Sequence, residues 1–347
     1  MSIRTCKSFI AAIAMAVTLA VNAYTPAAAA TLKIATITPE GSGWMKSMRE
    51  GAREISELTD GRVTVKFYSG GIMGSDKKVL RKIRIGQLQG GAFPAGSLAE
   101  IYDGLYLYGL PLLFDSQEEV DYVRQRMDEK IAKGLEESGF VSFGFAGGGF
   151  AKLMSNEPVR SLDDLKGRKV WVPEGDAISY AAMESLGLSP VTLPLTDVLT
   201  GLQTGLVDIV AASPVAAVVL QWHTKVKFVT DLPVSYIFAT LAIEKRAFEK
   251  LTAEDQAVFR NVMSGIYQKF EAENRTDNER AAEAMRSNGV EFVEPDVSEA
   301  SHWRALTSDI NDRLSGEKLF NSADLAEIRA LQSEFRNTSG VAAGATP

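Results

Sequence analysis

The chain has 347 residues, 46% of them hydrophobic and 23% charged, and carries a formal net charge of −7. This composition excludes fibrous and disordered classes, and the length is enough for two domains. The acidic balance argues against a polyanionic partner, so no nucleic acid is expected.

Residues 1–30 read as a cleaved secretory signal peptide. Arg4 and Lys7 precede the apolar run "SFIAAIAMAVTLAV" and the stretch "AYTPAAAA", where Ala28 and Ala30 have the spacing of a cleavage site. The run holds about 14 residues, short of the roughly 20 that span a bilayer. Cleavage makes the chain two units more negative and removes Cys6, its only cysteine. An exported chain with neither disulfide nor lipid anchor must rely on its core. In a double-membraned bacterium such a signal leads to the periplasm.

From Thr31 the periodicity runs strand, helix, strand, helix, strand: "TLKIATI", residues 42–58, "RVTVKFY", residues 76–85 and "LQGGAF". The same order returns as "RKVWV", a helix over 176–186 closed by Gly187, "PVTL", a helix over 196–204 and "LVDIVAA". Thr196 is the expected N-cap of that last helix and Gly205 its stop. Repeated βαβ units predict two α/β lobes with parallel-type sheets flanked by helices, and ligands at the carboxyl ends of the strands. "ATLAIEKRAF" reads as a strand entering a helix. A helix from Thr252 to about Asn288 follows, with Thr252 and Asp255 in capping-box spacing; at roughly 50 Å it suits a strut across both lobes better than a part of one. Residues 339–347 form a flexible tail with few large apolar side chains.

Catalytic chemistry finds no foothold. No phosphate-binding glycine motif or nucleophile elbow occurs, and "AGGGF" at 146–150 reads as close backbone packing or a hinge near the cleft. The two histidines, His223 and His302, lack ligand-spaced Cys or carboxylate neighbours. Neither a metal nor another cofactor is therefore expected. His223 is open to a general-base reading, but a packed or surface histidine is the simpler one. Ser161 and Asp164 form a capping box rather than catalytic chemistry.

"SLDDLKGRKVWVPEG" followed by "SLGLSPVTLPLTDVLTGLQTGLVDIVAASP" resembles the DctP-type solute-binding subunits of tripartite ATP-independent periplasmic (TRAP) transporters. "GRVTVKFYSGGIMGSDKKVLRKIRIGQLQGG" and "LPLLF" resemble the same family's first-lobe segments, so the likeness covers nearly the whole mature chain. It implies a Venus-flytrap receptor that closes on a small solute and hands it to the large and small membrane subunits of an ion-gradient-driven permease. The implied lobes are 31–148 with about 237–270, and 149–236 with about 271–338, hinged around 146–150 and 234–240. A flytrap receptor serving a sensor or an ATP-driven importer is the alternative. A two-lobed α/β enzyme comes third.

The resemblance also shows what differs here. The family arginine that pairs with a ligand carboxylate falls at Trp171, a second family arginine at Ala151, a frequent cleft phenylalanine at Leu195, and a family asparagine at Ser213. The ligand-binding residues expected are thus Thr38, Trp44, Phe93, Ala151, Trp171, Glu174, Leu195 and Ser213. Trp171 has two readings, packing within the sheet or apolar and cation-π surface for a ligand. The substitutions point to a solute that is neutral, zwitterionic or more apolar than a dicarboxylate, although Lys152, Lys169 or helix-start amides could still receive a carboxylate.

Overall fold

The computed structural model describes residues 29–339; the expected signal peptide up to residue 28 and the tail from residue 340 lie outside the described residues. Three parallel strands, β1 (Ala30–Thr36), β2 (Val63–Tyr68) and β3 (Gly90–Pro94), stand in the order β2-β1-β3. Their crossovers are α1 (Gly43–Leu58) and α2 (Asp76–Arg84). The Ser42 hydroxyl accepts a hydrogen bond from the Met45 N–H and so caps α1, which buries Met45, Met48, Gly51 and Ile55.

The sequence reading leaves residues 95–145 largely unassigned. The structure fills them with 3₁₀ turns, helix α3 (Gln117–Glu137) and the short strand β4 (Phe140–Ser142). Strand β5 (Ala146–Ser155) then leads into the second lobe. There β6 (Trp171–Pro173), α4 (Ala177–Ser185), β7 (Val191–Leu193), α5 (Val198–Thr204), β8 (Ile209–Ala212) and α6 (Pro214–Val219) follow. β6 and β7 pair in parallel, and a single bridge from Val170 to Ile209 ties them to β8. The expected cap of α5 differs: a 3₁₀ turn over Leu195–Asp197 comes first, and the Thr196 hydroxyl bonds the Asp197 carboxylate instead. Gly205 ends the helix at φ 69°, as its position predicts.

The element that organises the molecule is β9 (Phe228–Glu244), 17 residues long, of which the sequence pattern exposes only the end. Its last residues pair antiparallel with β3 and β4; its first residues lie between β5 and β10 (Glu291–Val293). Both lobes are therefore built on one strand, and the sheet they share is mixed. Pro233 explains why the strand is hard to read: it sits where the β5–β9 register shifts, between Thr230 and Ser235, and so removes no ladder donor.

Helix α7 (Ala253–Ser287) runs for 35 residues from the Thr252 cap, whose hydroxyl accepts from the Asp255 N–H. The buried Asp255 carboxylate takes Arg62 of the first lobe at 2.9 Å. Close by, a Cβ on Gly51 would fall 2.2 Å from Ile266 Cδ1, so a side chain at residue 51 would require that methyl to move where α1 meets α7. Farther along, Met285 packs in the cluster of Trp171 and Trp222. The helix thus touches both lobes, as its length predicts. Helices α8 (Val297–Gly316) and α9 (Ser322–Ser339) complete the chain, and no described helix is long and apolar enough to cross a membrane.

Candidate functional site

A cavity of about 730 Å³ opens between the lobes. Its wall comes from the loops after β1, β3, β6 and β7, from the β5–β9 crossing and from one face of α7. Those loops follow the carboxyl ends of parallel strands, where a doubly wound sheet leaves a crevice.

Of the eight residues singled out in the sequence, seven line this cavity: Thr38, Trp44, Phe93, Ala151, Trp171, Glu174 and Leu195. Ser213 is a correction. It is fully buried, its hydroxyl accepts from the Ala216 N–H to cap α6, and its neighbours Ala211, Ala212, Val215 and Ala216 reach the wall in its place. The serine is committed to starting a helix, a role that its place before Pro214 suits.

Trp171 packs in the core and also lies on the cavity wall. It is 5% exposed, its ring meets Trp222 edge to face at 5.2 Å, and its Nε1–H donates to the Leu193 carbonyl at 3.0 Å. The indole therefore offers the cavity apolar surface and no free donor. Trp44 stacks on Phe270 at 5.6 Å and joins α1 to α7 beside the opening.

The two lysines considered for a carboxylate do not reach the wall. Lys152 is engaged with Asp231, and the exposed Lys169 donates to the Gly205 carbonyl. The cavity lining contains no arginine, and its single cationic side chain is the exposed Lys269 on α7. His223 lies off the cavity with Nδ1 3.1 Å from the Ala217 carbonyl, and His302 is exposed.

Several wall residues carry no motif and escape sequence reading. Tyr106, from a 3₁₀ turn, donates its hydroxyl across the cleft to the Gly175 carbonyl at 3.2 Å. Burial, then the nearby Asp176, pushes that phenol up to about 12. Asp176 caps α4 by accepting from Ser179, yet burial still holds its carboxyl above the usual range. Trp303 and Thr307 arrive from α8, far along the chain. Only Asp176 had a local signal, since an aspartate opening a helix after a strand end is a recognisable cap.

The glycine-rich crossing is clamped from behind. Glu271 of α7 accepts from the Gly147 N–H at 2.6 Å and from Arg124 at 2.7 Å, while Asn278 donates to the Gly148 carbonyl and accepts from the Val215 N–H. Arg124, 5% exposed, also binds Asp128 and the Phe145 carbonyl. A side chain at residue 147 would collide with this layer, because its Cβ would lie 2.1 Å from the Tyr236 hydroxyl.

The family described as bacterial extracellular solute-binding protein, family 7 (DctP), matches residues 34–317. The C4-dicarboxylate-binding periplasmic protein DctP of Rhodobacter capsulatus is 24% identical over 308 residues, covering 87% of this chain and 89% of that protein. A TRAP periplasmic solute-binding protein of Xanthobacter autotrophicus Py2, solved with bound β-D-galacturonate, aligns with a TM-score of 0.79 at 21% identity and covers 87% of this chain and 99% of its own. DctP7 of Bordetella pertussis, an extracytoplasmic solute receptor binding pyroglutamic acid, aligns with a TM-score of 0.79 at 20% identity, covering 88% of this chain and all of its own.

Proposed function

The chain belongs to the family 7 extracellular solute-binding proteins, and from that premise we propose that it is the periplasmic receptor of a TRAP transporter, closing its lobes on a small organic solute and presenting it to the membrane subunits. The observation that carries this reading is the cavity itself, whose wall is drawn from both lobes and from the strand and helix they share. A solute touching all of these surfaces favours the closed arrangement by the difference in its affinity for the two states.

The lobes we assign are residues 31–148 with about 237–270, and 149–236 with about 271–338. The hinge is the β5–β9 crossing at Gly147–Gly149 and Tyr236–Phe238, where the register shifts and glycine permits rotation without side-chain obstruction. Phe93, Trp171, Trp44 and Leu195 supply the apolar contacts. The role we assign is solute binding rather than catalysis, and the family match supports it. A receptor feeding an ATP-driven importer would share the fold, and the family match favours the TRAP assignment.

The test is a ligand screen by thermal shift followed by small-angle scattering. Solute at one hundred times its dissociation constant adds about 2.7 kcal/mol and raises the melting temperature by several degrees. The expected companion result is a smaller radius of gyration in the saturated protein. A stabilising ligand that leaves the scattering profile unchanged contradicts closure, and catalytic turnover of that ligand would revive the enzyme reading.

A further inference from the structure

The charges around the cavity are predominantly negative. Glu174 and Asp176 line it from the second lobe, and Glu273 and Asp277 from α7, against the single exposed Lys269. From the first lobe, Asp76 lies one contact behind the wall: its carboxylate accepts from the hydroxyl of Ser97, itself a lining residue, at 2.6 Å. Glu100 reaches toward Gly175, where an added Cβ would be 3.8 Å from its Oε1. Asp76, Glu100, Glu174 and Asp176 therefore surround the Tyr106–Gly175 contact from opposite sides of the cleft.

Among the described residues none of these four acids joins an ion pair. Burial raises the Asp76 carboxyl, Ser97 opposes the shift, and the like charge of Glu174 adds to it. Glu174 on the wall and Asp76 behind Ser97 thus come from different lobes without an ion-pair partner, so lobe closure on an empty cleft works against repulsion. A positive group between them would turn that repulsion into attraction toward both lobes. No three described His, Cys, Asp or Glu side chains are arranged to hold a metal ion, so an organic cation suits the gap better than a bare one. The remaining wall, with Phe93, Trp171, Tyr106 and Trp222, is aromatic and accommodates an apolar body beside a cationic head.

Resting on the receptor reading above, we infer that the solute is an organic ammonium compound with an apolar body, its positive nitrogen held at the Ser97–Tyr106–Glu174 end of the cavity. β-D-galacturonate and pyroglutamic acid, bound by the two structural neighbours named above, carry a carboxylate instead. The departure is carried by the missing arginine and the unpaired acids.

Isothermal titration with three compounds of one shape separates the possibilities: phenethylammonium, 2-phenylethanol and 3-phenylpropionate. Phenethylammonium should bind at least about tenfold more tightly than the other two. Glu174→Gln should weaken it by about tenfold and leave the alcohol unchanged, and Asp76→Asn should act in the same direction. Equal melting temperatures for Glu174→Gln and the parent protein would exclude a folding defect. Tighter binding of 3-phenylpropionate, with compaction on scattering, overturns the ammonium inference and leaves the receptor reading standing. If none of the three binds, or if phenethylammonium is indifferent to Glu174→Gln, the inference also falls. Ammonium binding without compaction supports the ligand class and counts against closure.

Discussion

Trp171 stands where the family resemblance puts an arginine, and its indole is used twice. The ring completes the Trp222 cluster and lines the cavity, and its N–H is spent on the Leu193 carbonyl. Trp171→Phe removes that hydrogen bond and part of the ring, and should cost about 2–3 kcal/mol in urea unfolding with an unchanged m-value. The Leu193 carbonyl keeps a second donor, the Glu174 N–H at 3.1 Å, so the loss stays below that of an orphaned acceptor. A cost under about 0.5 kcal/mol would mean that the indole is surface lining alone.

Asp76 makes a different residue-scale prediction. Its folded carboxyl titrates above its usual value of 3.8, so the unfolded chain gives up that proton first, and stability from this group falls as pH rises from about that value. Asp76→Asn keeps an acceptor for Ser97 and removes the charge. It should raise the melting temperature at neutral pH by about 1–2 °C, and the gain should fade as the pH drops well below 3.8, where the carboxyl is protonated in both the folded and the unfolded chain. A gain that persists undiminished well below pH 3.8 would assign the effect to something other than ionisation.

At the scale of elements, the informative piece is the start of β5. Gly147 and Gly148 carry hydrogen bonds to α7 through Glu271 and Asn278, and Gly149 has φ 84° at the register shift. Sequence shows three glycines in a row; it does not show that a tyrosine hydroxyl and an asparagine fill the space where side chains would go. Gly147→Ala should destabilise the protein by about 1–3 kcal/mol and shift the open–closed balance seen by scattering. Gly265→Ala, in the middle of α7 with open space around it, is the control and should stabilise by about 0.5–1 kcal/mol. Equal effects of the two changes would remove the case for a clamped crossing.

For the whole molecule, what was legible follows from range of interaction. Alternating and 3.6-period patterns, the Thr252 cap and the Gly187 and Gly205 stops are local, and each is set within one turn of chain. They were enough, by themselves, for the α/β class, the repeated βαβ units and the long strut, and the separated motifs were enough for the family. Strand-end positions and the family resemblance together singled out eight residues, of which seven lie on the cavity wall. Tertiary structure decided the rest. β9 crosses between lobes through a proline that masks its pattern, Ser213 turns inward to cap a helix, and Trp303 arrives at the wall from a helix with no motif. The absence of arginine and the unpaired acids facing across the cleft are likewise sums over segments distant in sequence. Periodicity records the surface each segment buries, whereas the sign of a cavity depends on which segments meet, and only packing brings them together.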